Sequence, residues 1–219
     1  HDGQDWNIDS PQADSNLSLR LSQTTTIRVK RTADGQIQRV EMPLTDPDLF
    51  KYPIAFITEP GVMSLNESEQ KAMRSYLLRG GFLVFDDFHG DVAWSAFADQ
   101  MNNVLPSADY PIVDIPQTHQ IFHMVFDIDK IQQVPTIHLF DYEAWKATGD
   151  TVEWGHDYAS GDTRAHCRGI FDKQGRLMCA INFNTDLGDG WQEEGTNADY
   201  FRIFSARAAF PLGINIVAY

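Results

Sequence analysis

Two adjacent carboxylates and an imidazole, Asp86-Asp87-Phe88-His89-Gly90, are the densest chemistry in this chain. A carboxylate pair can hold a divalent metal or share a proton, and an imidazole beside it can serve as acid or base. The competing reading is structural. An aspartate at a strand end accepts backbone N–H bonds and caps the next helix, and one of the pair is expected to do only that. Asp86, Asp87 and His89 are therefore the candidate catalytic residues.

Other groupings are candidates for ligand binding. His119 and His123 are four residues apart and would share a helix face, a spacing that suits metal ligation; no glutamate follows His119, so the zinc-protease pattern fails. Asn184, Asp186 and Asp189 offer oxygen ligands at short spacing, without the glycine and terminal glutamate of an EF-hand loop, and a run of Asx turns explains them as well. His166 adjoins Cys167, but neighbours on a strand point to opposite faces, so the two cannot pair directly. His1, with a free amino group, could chelate copper, although a processing or cloning boundary explains it better. The cofactor stays unknown. There is no nucleotide or flavin motif and no G-x-S-x-G elbow, Walker loop or G-x-G-x-x-G, which leaves a divalent metal as the open option.

These residues work together only if the chain brings them together. Tyr52–Thr58 and Phe82–Phe85 are short apolar runs, expected as buried parallel strands. Between them, Asn66 and Glu69 form a capping-box pair. Ala72, Met73, Tyr76 and Leu77 make an apolar stripe, and Gly80 supplies the helix stop. Asp91 is expected to cap a further helix with Trp94, Phe97 and Met101 inward, followed by a strand at Ile112–Ile115. Strand alternating with helix predicts a parallel sheet, whose carboxyl ends, where Asp86 and Asp87 fall, are the usual ligand site. Ala165–Phe171 and Arg176–Phe183 flank the turn Asp172-Lys-Gln-Gly175 and predict a late β-hairpin.

The flanks are less regular. Ser10-Pro11 opens a helix carrying Leu17 and Leu21 on one face and ending near Thr24, and Thr26–Val29 alternates as a strand would. Thr136–Phe140 is a further strand candidate, 141–162 an excursion and Asn184–Asn197 a Gly- and acid-rich loop. A last helix is expected from Asp199 to about Val217, kinked or restarted at Pro211. Residues 1–219 read as a single α/β domain, with 1–10 an extended arm.

Composition narrows the partners. With 31 acidic against 17 basic residues, the net charge of −14 repels phosphate backbones, so nucleic acid is not an expected partner. No run approaches the ~18 apolar residues of a membrane span. Two cysteines, Cys167 and Cys179, leave a disulfide open, because register decides whether they face each other.

Several separated motifs carry a family resemblance: Trp6–Asp14, Asn16–Leu21, Tyr76–Leu83 with Asp86-Asp87-Phe88, Pro116-x-x-His119-x-Ile-Phe122, Gly175–Met178 and Asn184–Asp189. In this order they resemble a bacterial family of uncharacterised domains akin to the class I glutamine amidotransferase-like fold. The resemblance implies a flavodoxin-like three-layer α/β sandwich and an exported protein, periplasmic or extracellular. Amidotransferases of that fold use a cysteine at a strand-to-helix elbow. Here the strand Phe82–Phe85 leads to Asp86-Asp87, and neither cysteine sits at such an elbow. The expected function is therefore binding or assembly in the bacterial envelope or exterior, without glutaminase chemistry. The alternative is a hydrolase, metal-assisted or not, using Asp86, Asp87 and His89, with Asn184 or Asp186 positioning the substrate. A homo-oligomer or an envelope partner is the further expectation, given aromatics such as Trp94, Trp145, Trp154 and Trp191.

Overall fold

The apolar runs expected around Asp86 are strands. A computed structural model describes residues 9–148 and 161–219. The chain divides into two compact units, a sheet unit drawn from residues 41–115 and 161–184 and a helical unit drawn from 9–40, 116–148 and 185–219.

The sheet unit holds five strands in the order β1-β2-β5-β4-β3. They are β1 (Ile54–Thr58), β2 (Phe82–Asp86), β3 (Ile112–Asp114), β4 (His166–Phe171) and β5 (Leu177–Phe183). β1, β2 and β5 are parallel, whereas β4 runs antiparallel to both β5 and β3. The sheet is thus mixed, with its parallel part at one end, and the architecture is α/β. β4 and β5 are the expected hairpin, turned at Asp172–Gly175, where Gly175 has φ 84° and the Asp172 carboxylate accepts from Gln174 N and Arg176 N.

Two helices cover one sheet face. α2 (Glu67–Leu78) starts with the predicted capping box: the Asn66 side chain accepts from Ser68 N and Glu69 N, and Glu69 accepts from Asn66 N. It stops at Gly80, which takes φ 106°. α3 (Gly90–Val104) begins two residues earlier than a cap at Asp91 predicts. His89 is its N-cap residue, making no side-chain cap bond, and Asp91 lies in the first turn. Met73, Tyr76 and Leu77 of α2, and Phe97, Met101 and Val104 of α3, pack on Leu83 and Phe85 of β2 and on Cys179, Ile181 and Phe183 of β5. Burying each large apolar side chain contributes about 1.5–3 kcal/mol, which is what holds helix on sheet.

The helical unit is built from α1 (Gln12–Thr24), α4 (Tyr142–Thr148), α5 (Leu187–Gln192) and the C-terminal helix Ala198–Ala218, whose middle, Phe201–Ala209, is π-helical. Pro11 is the N-cap residue of α1, not Ser10. Leu17 and Leu21 are buried as expected, and the Trp191 indole donates to Ala209 O at 2.8 Å. Pro211 stands near the start of the final α-helical segment, Phe210–Ala218, so the helix continues through it. By length and composition Ala198–Ala218 could cross a membrane, but it is 67% buried, as the core helix of a unit is.

Several expectations fail. Thr26–Val29 is not a strand, and Ile27 is exposed; alternation over four residues is too short a signal without a partner strand. Ile137–Leu139 is a 3-10 turn inside the stretch expected as a strand. The supposed loop Asn184–Asn197 contains α5. Its glycines made it read as irregular, yet they are packing residues: a Cβ on Gly188 would lie 2.2 Å from Asp9 Oδ2, and one on Gly190 would lie 2.4 Å from Ala209 Cβ. The expected arm 1–10 falls outside the described residues except for Asp9 and Ser10, and the excursion 141–162 except for 141–148, 161 and 162.

Candidate functional site

The carboxyl ends of β2 and β5 lie side by side, because the two strands are parallel neighbours. Each strand is followed by one residue in the left-handed region, Asp87 (φ 62°) after β2 and Asn184 (φ 57°) after β5. Left-handed backbone is unfavourable for a residue with a Cβ; Asn and Asp tolerate it best, and it clusters at functional turns.

Asn184 binds these turns together. Its Oδ1 accepts the Gly90 N–H at 2.9 Å, its Nδ2 donates to Asp162 O and Arg164 O at 2.5 and 3.0 Å, and its own N–H donates to Phe88 O at 3.0 Å. One side chain thus joins the end of β5, the first residue of α3 and the segment leading into β4. Its carboxamide is spent on backbone groups, so Asn184 positions the site.

Asp86 ends β2 and is 1% exposed; Asp87 and His89 are also buried. His89 Nδ1 lies 3.9 Å from Asp87 Oδ1. Burial pushes the His89 imidazole down to about 3, so the ring is neutral at ordinary pH and the approach is not an ion pair.

Strand register reveals what the sequence did not flag. Thr58 pairs with Asp86, and Cys167 with Asn182. Phe85 pairs with Ile181, so the next step sets Asp86 beside Asn182. Residues at one level of a sheet share a face. Thr58, Asp86, Asn182 and Cys167 therefore form a polar row across four strands, at the carboxyl end of the parallel ones. Asn182 is wholly buried, and neither its Oδ1 nor its Nδ2 has a hydrogen-bond partner among the described residues. Asn215 in the helical unit is equally buried, but its Oδ1 accepts from Val125 N and Phe126 N and its Nδ2 donates to Phe126 O. Native proteins seldom leave a buried carboxamide unsatisfied, and doing so costs about 1–3 kcal/mol per group. The signal in the sequence was a single polar residue inside the strand Leu-Met-Cys-Ala-Ile-Asn-Phe.

The remaining candidates serve elsewhere. His166 faces Phe183 and the opposite sheet face; its Nδ1 lies 3.0 Å from Asp114 Oδ1 and its Nε2 3.0 Å from Asp162 Oδ2. Arg168 completes that cluster, its Nε 3.2 Å from Asp114 and its guanidinium 4.2 Å over the Trp94 ring. In the helical unit His119 and His123 do not share a helix. His119 is the N-cap of a 3-10 turn and lies tilted against the Tyr219 ring, while His123 bridges Asp127 and Gln117 O. Asp186 caps α5 by accepting from Asp189 N, and Asp189 accepts from Ile137 N, both at 2.7 Å. Asn184 belongs to the sheet unit and Asp186 and Asp189 to the helical unit.

The cysteines are settled by register. Cys167 stands opposite Asn182 and Cys179 opposite Ile170, three residues apart and on opposite faces, and both are free thiols. Burial pushes both thiols up to about 12, with the Asp86 and Asp114 charges adding to the effect at Cys167.

The fold and site thus define an α/β protein with a mixed five-stranded sheet and a polar row at the ends of its parallel strands. The chain belongs to the DUF4159 family, described as a domain of unknown function, whose model matches residues 1–219. Comparison with curated proteins returned no match.

Proposed function

We propose that this protein binds a small polar molecule at the carboxyl ends of β2 and β5, on a flavodoxin-like sheet, and does not act through a nucleophile. The observation that carries this reading is Asn182, a fully buried carboxamide with both polar atoms unpartnered among the described residues. A ligand offering a donor and an acceptor, as an amide or a polyol does, would complete it. Asp86, beside Asn182 in the row, adds an acceptor, and the Asn184 clamp fixes the surrounding turns.

Catalysis is less well supported. A thiolate nucleophile is out of reach while both thiols sit near 12 in mid-strand. A neutral imidazole whose proton affinity lies near 3 is a feeble general base. The elbow position after β2 is filled by Asp87, so an amidotransferase-like reaction lacks its cysteine.

The test is a thermal-shift and calorimetric screen of the full chain against small amides, amino acids and polyols. The expected result is a stabilising compound whose effect is lost in Asn182→Val. Binding undiminished in Asn182→Val would overturn the reading. So would turnover of ester or amide substrates that is lost in Asp87→Asn.

A further inference from the structure

A cavity of about 260 Å³ lies at the amino-terminal ends of β1 and β2, beside Pro53 and Gly81, the residues that precede those strands. It is lined by Phe50, Lys51, Tyr52, Tyr76 and Arg79 together with Pro53, Gly80 and Gly81. Two of these eight residues are cationic and none is acidic, in a chain with 31 acidic and 17 basic residues. Such a local reversal of charge is unexpected from composition.

The two cations differ. Lys51 is held by Asp48 at 2.8 Å. Arg79 has no carboxylate partner among the described residues; its guanidinium lies 5.4 Å over the Phe50 ring. A guanidinium held over an aromatic ring has five N–H donors, which suit a planar carboxylate. The walls beside it are aromatic: Phe50, half exposed, meets Tyr76 edge-on at 6.1 Å, and the Tyr76 hydroxyl is already committed to Tyr52 O at 2.8 Å.

The carboxyl end of α2 and the Asp48 carboxylate on Lys51 would both repel an anion here. Three of the last four carbonyls of α2 accept hydrogen bonds, however. Leu77 O accepts from Arg176 Nη2 and Gly80 N, Tyr76 O from Gly81 N, and Ser75 O from Arg79 N. Arg176 also donates to Gly81 O, its charge paired with Asp172 at 3.0 Å.

We propose that this cavity binds a small aromatic monocarboxylate, the carboxylate on the Arg79 guanidinium edge and the ring against Phe50 and the tyrosines. At about 260 Å³ the space lies just under the ~300–1,000 Å³ of pockets for drug-sized ligands, which suits a single-ring acid. The site stands apart in sequence and in the sheet from the carboxyl-end row, and it does not depend on it.

The experiment is titration of the full chain with benzoate, read by calorimetry and saturation-transfer NMR, with benzyl alcohol and acetate as comparisons. Saturable benzoate binding in roughly the millimolar range is expected, weakening as salt is raised. Benzyl alcohol and acetate should each bind at least about tenfold more weakly, and Arg79→Gln should cost benzoate a similar factor. Arg79→Lys, which keeps charge but not the fork, should fall between. Circular dichroism confirms that the exposed substitutions leave the fold intact. No saturable benzoate binding, equal binding of benzyl alcohol, or an unchanged affinity in folded Arg79→Gln would overturn the proposal.

Discussion

The Asn184 carboxamide oxygen accepts the Gly90 backbone N–H at 2.9 Å, tying the end of β5 to the first residue of α3. The same side chain donates to Asp162 O and Arg164 O from a backbone at φ 57°. Asn184→Ala loses all three bonds and places alanine in left-handed backbone. A loss of about 3 kcal/mol is expected in urea denaturation. Asn184→Gly relieves the backbone and should recover about 1 kcal/mol of that. Equal stabilities for the two variants would mean that the backbone conformation carries no strain.

His89 sets a pH dependence. Its folded-state proton affinity is pushed by burial to about 3 from an ordinary 6.5. Between those limits the unfolded chain binds the proton and the folded chain does not, so stability rises with pH there. The contribution is complete above 6.5 and is lost progressively as pH falls towards 3. From pH 6.5 to pH 5 this amounts to about 2 kcal/mol. Half-buried His119 acts in the same direction, and His123, raised mainly by Asp127, in the opposite one. Urea midpoints measured across pH 5–7 should show a slope that His89→Gln flattens. An unchanged slope in that variant would contradict a buried neutral imidazole.

The cysteines should be inert. Cys167 and Cys179 are buried on opposite faces of the hairpin with thiols pushed to about 12. Treated with iodoacetamide at pH 8, the folded protein should gain no adduct by mass spectrometry, and in urea it should gain two. Fast labelling of the folded state would show that one thiol is accessible and reopen nucleophilic chemistry.

Gly81 tests the wall of the amino-end cavity. A Cβ there would lie 2.5 Å from the Tyr76 ring, which is itself fixed by its bond to Tyr52 O. Gly81→Ala should therefore destabilise the sheet unit by about 1–3 kcal/mol in urea denaturation. A neutral effect would show that the ring yields.

What could be read from the sequence was local. The Asn66–Glu69 capping box, the Gly80 stop and the Asp172–Gly175 turn are decided by side chains within a few residues, and the structure has each of them. Register is not local. That Cys167 faces Asn182, and that Asp86 stands level with it, depends on the pairing of strands distant in sequence. Asn182 therefore gives little local signal, whereas His119, which a sequence reading picks out, caps a 3-10 turn and lies tilted against Tyr219. Glycine misled at α5 for a related reason: Gly188 and Gly190 are small because Asp9 and Ala209 lie against them, which composition reads as a loop.

The central claim is that Asn182 is kept polar for a ligand and contributes nothing to folding. Urea denaturation of Asn182→Val and Asn182→Leu against the wild-type chain, without added ligand, tests it most directly. At least one variant should be more stable by about 1–3 kcal/mol, because an unsatisfied buried carboxamide is replaced by an apolar side chain. Destabilisation of both by a similar amount would show that the carboxamide is satisfied in the folded protein, and the binding reading would fall with it.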